Sequence, residues 1–168
     1  GLFRIVKITS ENKILLIPEF DEYYYSVWDD RYNSTIGYST GINNYRLSRL
    51  KDDLFNIYND NIEKFILLSN TDKEKLTTFS LCIGKRSDAE TNNTGAVECA
   101  DTLDNQMIGL LTASDYINAS LDQNCVATNS KACQNYNYLK IKDTSWWLIT
   151  SSTKDTASVY RVNNYGYI

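Results

Sequence analysis

The chain contains no histidine among its 168 residues. That absence excludes Ser-His and Cys-His nucleophile pairs, His-ligated zinc and an imidazole general base. Any catalysis has to come from carboxylates, Lys, Tyr or Cys. Proline occurs once and methionine once. No apolar run approaches the length needed to span a bilayer. Excess positive charge is also lacking: the net charge is −4, so no basic field favours nucleic acid or an anionic membrane. The chain opens on Gly1 rather than Met, without a signal peptide, which reads as a segment excised or processed from a larger exported protein.

What is present fits a single globular domain over 1–168, with 42% hydrophobic and 23% charged residues. Thirteen tyrosines accompany many Asn and Ser residues. Tyr and Asn supply amphipathic contact area and adaptable hydrogen bonding, as on binding surfaces. An AT-rich genome produces the same bias.

The four cysteines are Cys82, Cys99, Cys125 and Cys133, with sixteen residues between the first two and seven between the last two. Neither pair has zinc-ligand spacing, and no Cys-x-x-Cys redox motif is present. The segments between them, 84–98 and 126–132, are polar and read as surface loops. Three connectivities are open, and local pairing, Cys82 with Cys99 and Cys125 with Cys133, is the simplest. Each bridge stabilises by roughly 2–4 kcal/mol and implies an oxidising compartment, hence an extracellular or cell-surface location. Four buried free thiols are the alternative.

The pattern along the chain predicts an α+β fold. Residues 3–8 alternate, with Phe3, Ile5 and Lys7 on one face; Lys13 to Ile17 follow and stop at Pro18, giving a hairpin. The stretch 20–38 is aromatic and irregular. Leu47, Leu50, Leu54, Ile57 and Tyr58 recur at helical steps, so a helix of about three turns is expected over Tyr45–Tyr58. Ile62, Phe65 and Ile66 suggest a short second helix, and Thr71 to Glu74 match a capping box. Strands are expected at 78–83, 107–111, 138–141, 146–150 and 159–162. Thr112-x-x-Asp115 signals a helix start, giving a second principal helix over Ala113–Leu121. The elements predict a mixed, mainly antiparallel sheet with two principal helices and disulfide-closed loops.

The motifs Leu2-Phe3-Arg4-Ile5-Val6-Lys7-Ile8, Gly109 to Tyr116, Trp146-Trp147-Leu148-Ile149-Thr150 and Val159 to Gly166 together resemble a domain family of unassigned function. Its members occur in exported, cell-surface proteins of low-GC Gram-positive bacteria and their wall-less relatives. The likeness spans Leu2 to Ile168 and carries no catalytic signature. Family members usually continue into a Val-Arg-Pro strand and often begin with a short aromatic strand. The C-terminal half is also similar to formylglycine-generating-enzyme-like and C-type-lectin-like domains, a fold-level analogy. The enzyme's paired catalytic cysteines have no counterpart among the four here.

Candidate sites follow from residue chemistry. Asp29 and Asp30 beside Trp28 and Tyr32 invite a glycosidase reading, since sugars stack on aromatics and hydrolysis uses paired carboxylates; adjacent acids in a solvated turn are the plainer explanation. Calcium at Asp29, Asp30 and Asn33 lacks the spacing of a calcium loop. Trp146 and Trp147 point to opposite faces of a strand, one into the core and the other partly exposed. Asn33, Asn92 and Asn118 begin glycosylation sequons, which are frequent by chance in an Asn-rich chain. The ligand-binding candidates are Trp28, Tyr32, Trp147, Tyr160, Arg161, Asn163 and Asn164. No catalytic residue, metal or cofactor is expected. The expected role is a non-enzymatic bacterial surface module for binding or adhesion to a protein or glycan. The alternatives are a pilus or filament subunit completed by a neighbour's strand, self-associating through a sheet edge, and an exported carbohydrate-binding or carbohydrate-active protein.

Overall fold

The computed structural model describes residues 3–9, 11–19, 25–61, 69–141 and 143–168. The short helix expected around Ile62, Phe65 and Ile66, and most of the aromatic run from Phe20 to Tyr25, lie outside the described residues. The class is α+β, but the strands form three small sheets rather than one.

Strands β1 (Phe3–Ile8) and β2 (Ile14–Pro18) form the expected antiparallel hairpin. Asn12 takes a left-handed conformation in its turn, at φ 58°, a role Asn fills readily. One face of the hairpin lays Val6, Leu15 and Ile17 on a hydrophobic cluster. The other leaves Ile5, Ile8, Ile14 and Leu16 exposed, so the Phe3/Ile5 face is not the one that packs inward. The Arg4 guanidinium ties the hairpin down by donating to the Tyr138 carbonyl at 2.7 Å.

Strand β6 (Trp146–Ser152) organises the rest, pairing with β7 (Val159–Val162) antiparallel on one side and β4 (Lys85–Arg86) parallel on the other. Alternate side chains of a strand point to opposite faces, and β6 uses both. Trp146 and Leu148, with Tyr160 and Val162 of β7, join a cluster built on Leu111, Tyr116, Ile117 and Leu139. Trp147 and Ile149, with Val159, join a second cluster of Trp28, Tyr45, Leu50, Leu81 and Ile83. The two tryptophans do point to opposite faces, but both are half-buried, each against its own cluster, where one core and one partly exposed ring were expected. Fully burying a Leu or Ile side chain stabilises by roughly 1.5–3 kcal/mol, so a strand with two apolar faces suits a central position.

The antiparallel pair β3 (Phe79–Cys82) and β5 (Thr102–Gln106) completes the strands. Strand β5 falls just before the apolar run 107–111, which forms no ladder and reaches β6 through one bond, the Ile149 N–H to the Leu111 carbonyl at 2.8 Å. Residues 138–141 likewise form no strand. They follow a turn in which the Asn137 side chain accepts from the Leu139 N–H and donates to the Tyr116 and Cys133 carbonyls.

The expected helix over 45–58 is divided at Ser48. Tyr45–Leu47 forms a 3-10 turn, and α1 spans Arg49–Asn56 before a π-turn at Ile57–Asn61. The Ser48 hydroxyl donates to the Tyr45 carbonyl and accepts from the Lys51 N–H, closing one element and capping the next. Apolar spacing is insensitive to such a break. Helix α2 (Asn70–Lys73) is capped by Ser69, whose oxygen accepts from the Asp72 N–H, two residues earlier than the Thr71 signal suggested. Helix α3 (Ala113–Asn118) starts at Thr112 with the expected capping box but ends three residues short of Leu121. There Ala119 and Ser120 turn with i to i+3 bonds, and Ser120 bridges to Asn137.

Both disulfides form locally, Cys82 with Cys99 and Cys125 with Cys133. The enclosed loops are not merely surface. The first carries Arg86 and Glu98 into the interior, both wholly buried, and the second buries Ala127 and Thr128.

Candidate functional site

A cleft of about 420 Å³ opens beside the β6–β7 pair. Its floor and walls come from Trp28, Trp147, Ala157 and Val159, and its rim from Val27, Thr40 and Arg161. Trp147 and Arg161 are direct cross-strand partners, so indole and guanidinium share one face of the sheet. The Trp28 and Trp147 rings meet edge-to-face at 6.0 Å, a favourable geometry for their quadrupoles. Each indole N–H is satisfied internally: Trp28 donates to the Ile42 carbonyl at 3.0 Å, and Trp147 to the Ser26 carbonyl at 3.1 Å. Trp28 is itself buried, so what remains for a ligand is the half-buried Trp147 ring and one cation. Among the described residues the exposed Arg161 guanidinium has no hydrogen bond or ion pair.

The segment carrying Trp28 is positioned by Asp29. Its carboxylate takes a two-pronged contact from the Arg31 guanidinium at 2.8 and 2.9 Å and accepts from the Ile42 N–H at 3.2 Å. Burial pushes this carboxyl upward, but the bonds from Arg31 and Ile42 outweigh it and hold it below its ordinary value. Gly41 packs directly on Asp29, at a positive φ of 65°. Arg31 also donates to the Leu47 carbonyl, which links the segment to the start of α1.

The pair Asp29 and Asp30 therefore does not present two carboxylates to one space. Asp29 turns inward to Arg31 while Asp30 pairs with Arg49 at 3.0 Å. Asn33, the third residue of the calcium reading, donates its amide to the Gly41 carbonyl at 2.6 Å and accepts from the Thr35 N–H at 3.0 Å. Among the described residues no three His, Cys, Asp or Glu side chains gather into a metal-holding group.

Of the residues singled out by sequence, the cleft brings together Trp28, Trp147 and Arg161. Tyr32 is exposed and lies outside its lining. Tyr160 faces the opposite way from Arg161, as alternation demands. Its phenol is buried and donates to Asp88 at 2.6 Å and to the Arg86 carbonyl at 3.2 Å, and burial together with that carboxylate pushes it above its ordinary value. Asn163 builds the following turn by accepting from the Tyr165 and Tyr167 N–H groups, and Asn164 is exposed in that turn. The lining residues Val27, Thr40, Ala157 and Val159 carry no chemical signature, and only the strand period at Val159 hinted at its face. Asn43 also went unsignalled. Its buried amide donates to the Ser152, Asp155 and Ser158 carbonyls, fixing the β6–β7 connection that carries Ala157.

No family model, curated protein or solved structure matches the chain, so the resemblances drawn from its motifs rest on those residues.

Proposed function

We propose that the chain is a non-catalytic, extracellular binding module that takes its ligand in the Trp28–Trp147–Arg161 cleft. The observation that carries this reading is an unpaired, exposed guanidinium set beside two indoles whose own polar atoms are already satisfied. Such a surface offers contact and orientation without a group poised for proton transfer. The two local disulfides suit an oxidising compartment and support the extracellular assignment. Binding of the disulfide-intact protein to glycan and peptide arrays tests it, with Ala157→Trp as the variant that fills the cleft. Array binding lost in that variant at unchanged melting temperature supports the reading. Binding untouched by the variant, or turnover of an arrayed substrate, overturns it.

The filament reading is favoured by one observation: β7 is an edge strand of its sheet. An open edge recruits strands. Concentration-dependent association in light scattering, with new amide protection at Val159–Val162, supports it; a monomer at every concentration removes it.

A further inference from the structure

We infer that the ligand of this cleft is a pyranose bearing one carboxylate, with the carboxylate on Arg161 and an apolar face of the ring against Trp147. The inference rests on the binding reading above and names its ligand class. The lining separates into two kinds of surface. Trp28, Trp147, Val27, Ala157 and Val159 are apolar; the polar side holds Ser26, Thr40 and the lining's one cation, Arg161, which has no ion pair among the described residues. The other charge in the lining, Asp29, is neutralised by Arg31, so Arg161 sets the local sign.

A planar guanidinium matches a carboxylate in two-pronged geometry. A flat ring system beside it matches the apolar face of a sugar. Small-ligand sites typically span ~300–1,000 Å³, and a cleft of about 420 Å³ suits one or two rings rather than an extended chain. The net charge of −4 repels polyanions, which disfavours an acidic peptide with many carboxylates.

The test uses the disulfide-intact, nitrogen-15-labelled protein with methyl glucuronide and methyl glucoside, rings that differ in the carboxylate. The expected result is that the glucuronide shifts the Trp147 indole N–H and Arg161 side-chain resonances and binds at least tenfold more tightly than the glucoside. Arg161→Gln should abolish that preference and Arg161→Lys should retain part of it. Among the described residues the exposed Arg161 guanidinium makes no hydrogen bond or ion pair, so both variants should keep the melting temperature. Equal binding of the two sugars overturns the inference, as does a glutamate-rich peptide shifting these resonances where the glucuronide does not. If neither sugar shifts them, the inference falls. The binding reading then stands or falls separately, on whether array signals depend on Ala157→Trp.

Discussion

Arg86 and Glu98 meet at 3.1 Å with both side chains fully buried, and the carboxylate they share belongs as much to α3 as to the ion pair. Glu98 accepts from the Ser114 N–H at 3.2 Å and from the Ser114 hydroxyl at 2.9 and 3.0 Å. The Ala113 N–H donates to the Thr150 hydroxyl and the Asp115 N–H to the Thr112 hydroxyl. The first three amides of the helix, which no helix can satisfy internally, thus each find an acceptor from a different place in the chain. Arg86 extends the network to the Glu90 and Asn92 carbonyls and to the Asn93 side chain.

Removing one partner leaves the other charged, buried and unpaired, a loss of about 3–5 kcal/mol. Glu98→Gln and Arg86→Met are each expected to lower unfolding free energy by that amount in urea titration. The double variant is expected to recover part of the sum, because neither charge is then stranded. Additive losses would show that the two residues are independent.

This network marks the limit of what could be read from the sequence. The strands expected at 3–8, 146–150 and 159–162, the first and last as observed and the second running two residues further, together with the Thr112 capping box and the local disulfides, were legible because each is a short-range pattern. Residues 84–98 read as a solvated loop because polar composition does not reveal that Arg86 and Glu98 turn inward to meet each other. The two-residue strand β4 is too short to show a period, and its pairing is with residues 151 and 152. In the candidate site the Trp28 and Trp147 rings and the Arg161 cation were visible as chemistry. Their meeting was not, because Trp28 is brought to β6 by Asp29 and Gly41, whose contacts leave no periodic trace.

Gly41 offers a direct probe of that placement. A Cβ built there would lie 2.3 Å from the Asp29 Cβ and 2.4 Å from its carbonyl oxygen, and the φ of 65° disfavours other residues. Gly41→Ala is expected to cost at least 1–2 kcal/mol, the scale of left-handed backbone strain, and to shift the Trp28 indole resonance. An unchanged melting temperature and spectrum would mean that the segment relaxes freely.

Asp29 gives the acid response a defined sign. Its carboxyl lies lower in the folded protein than its ordinary value of 3.8, so the unfolded chain binds that proton more readily. The stabilisation is fully present above the ordinary carboxylate range and is lost as pH falls through the folded value. Asp29→Asn should therefore be less stable than the native chain near pH 7, with the gap closing as pH falls below 3.8. A gap that stays constant with pH would assign the difference to geometry rather than charge.

The two disulfides should not contribute equally. They close segments of 17 and 8 residues, and chain entropy gives the longer loop an advantage of about 0.7 kcal/mol. The longer loop also delivers Glu98, the neighbour of Cys99, to the buried network. The Cys82→Ser/Cys99→Ser double variant is thus expected to lose more stability than Cys125→Ser/Cys133→Ser, by more than loop length explains. Denaturant midpoints of the two variants decide it, and equal losses would separate the bridge from the ion pair.

Adjacent tryptophans on β6 allow a comparison in which ring burial is similar and hydrogen bonding differs. Both are half-buried, each against an aromatic partner: Trp146 against Tyr116 at 5.6 Å and Trp147 against Trp28 at 6.0 Å. The buried Trp146 N–H has no acceptor among the described residues, whereas the Trp147 N–H donates to the Ser26 carbonyl. Phe keeps most of the apolar contact and removes the donor. At position 146 the change relieves an unsatisfied buried group, which offsets part of the lost packing. At 147 it breaks a bond and leaves the Ser26 carbonyl without its partner, an effect of about 1–3 kcal/mol. Trp147→Phe is therefore expected to destabilise the fold more than Trp146→Phe, by about 1 kcal/mol or more, and to loosen the Ser26–Trp28 wall of the cleft. Equal losses in urea titration, or a larger loss at Trp146, would show that ring volume alone governs both sites.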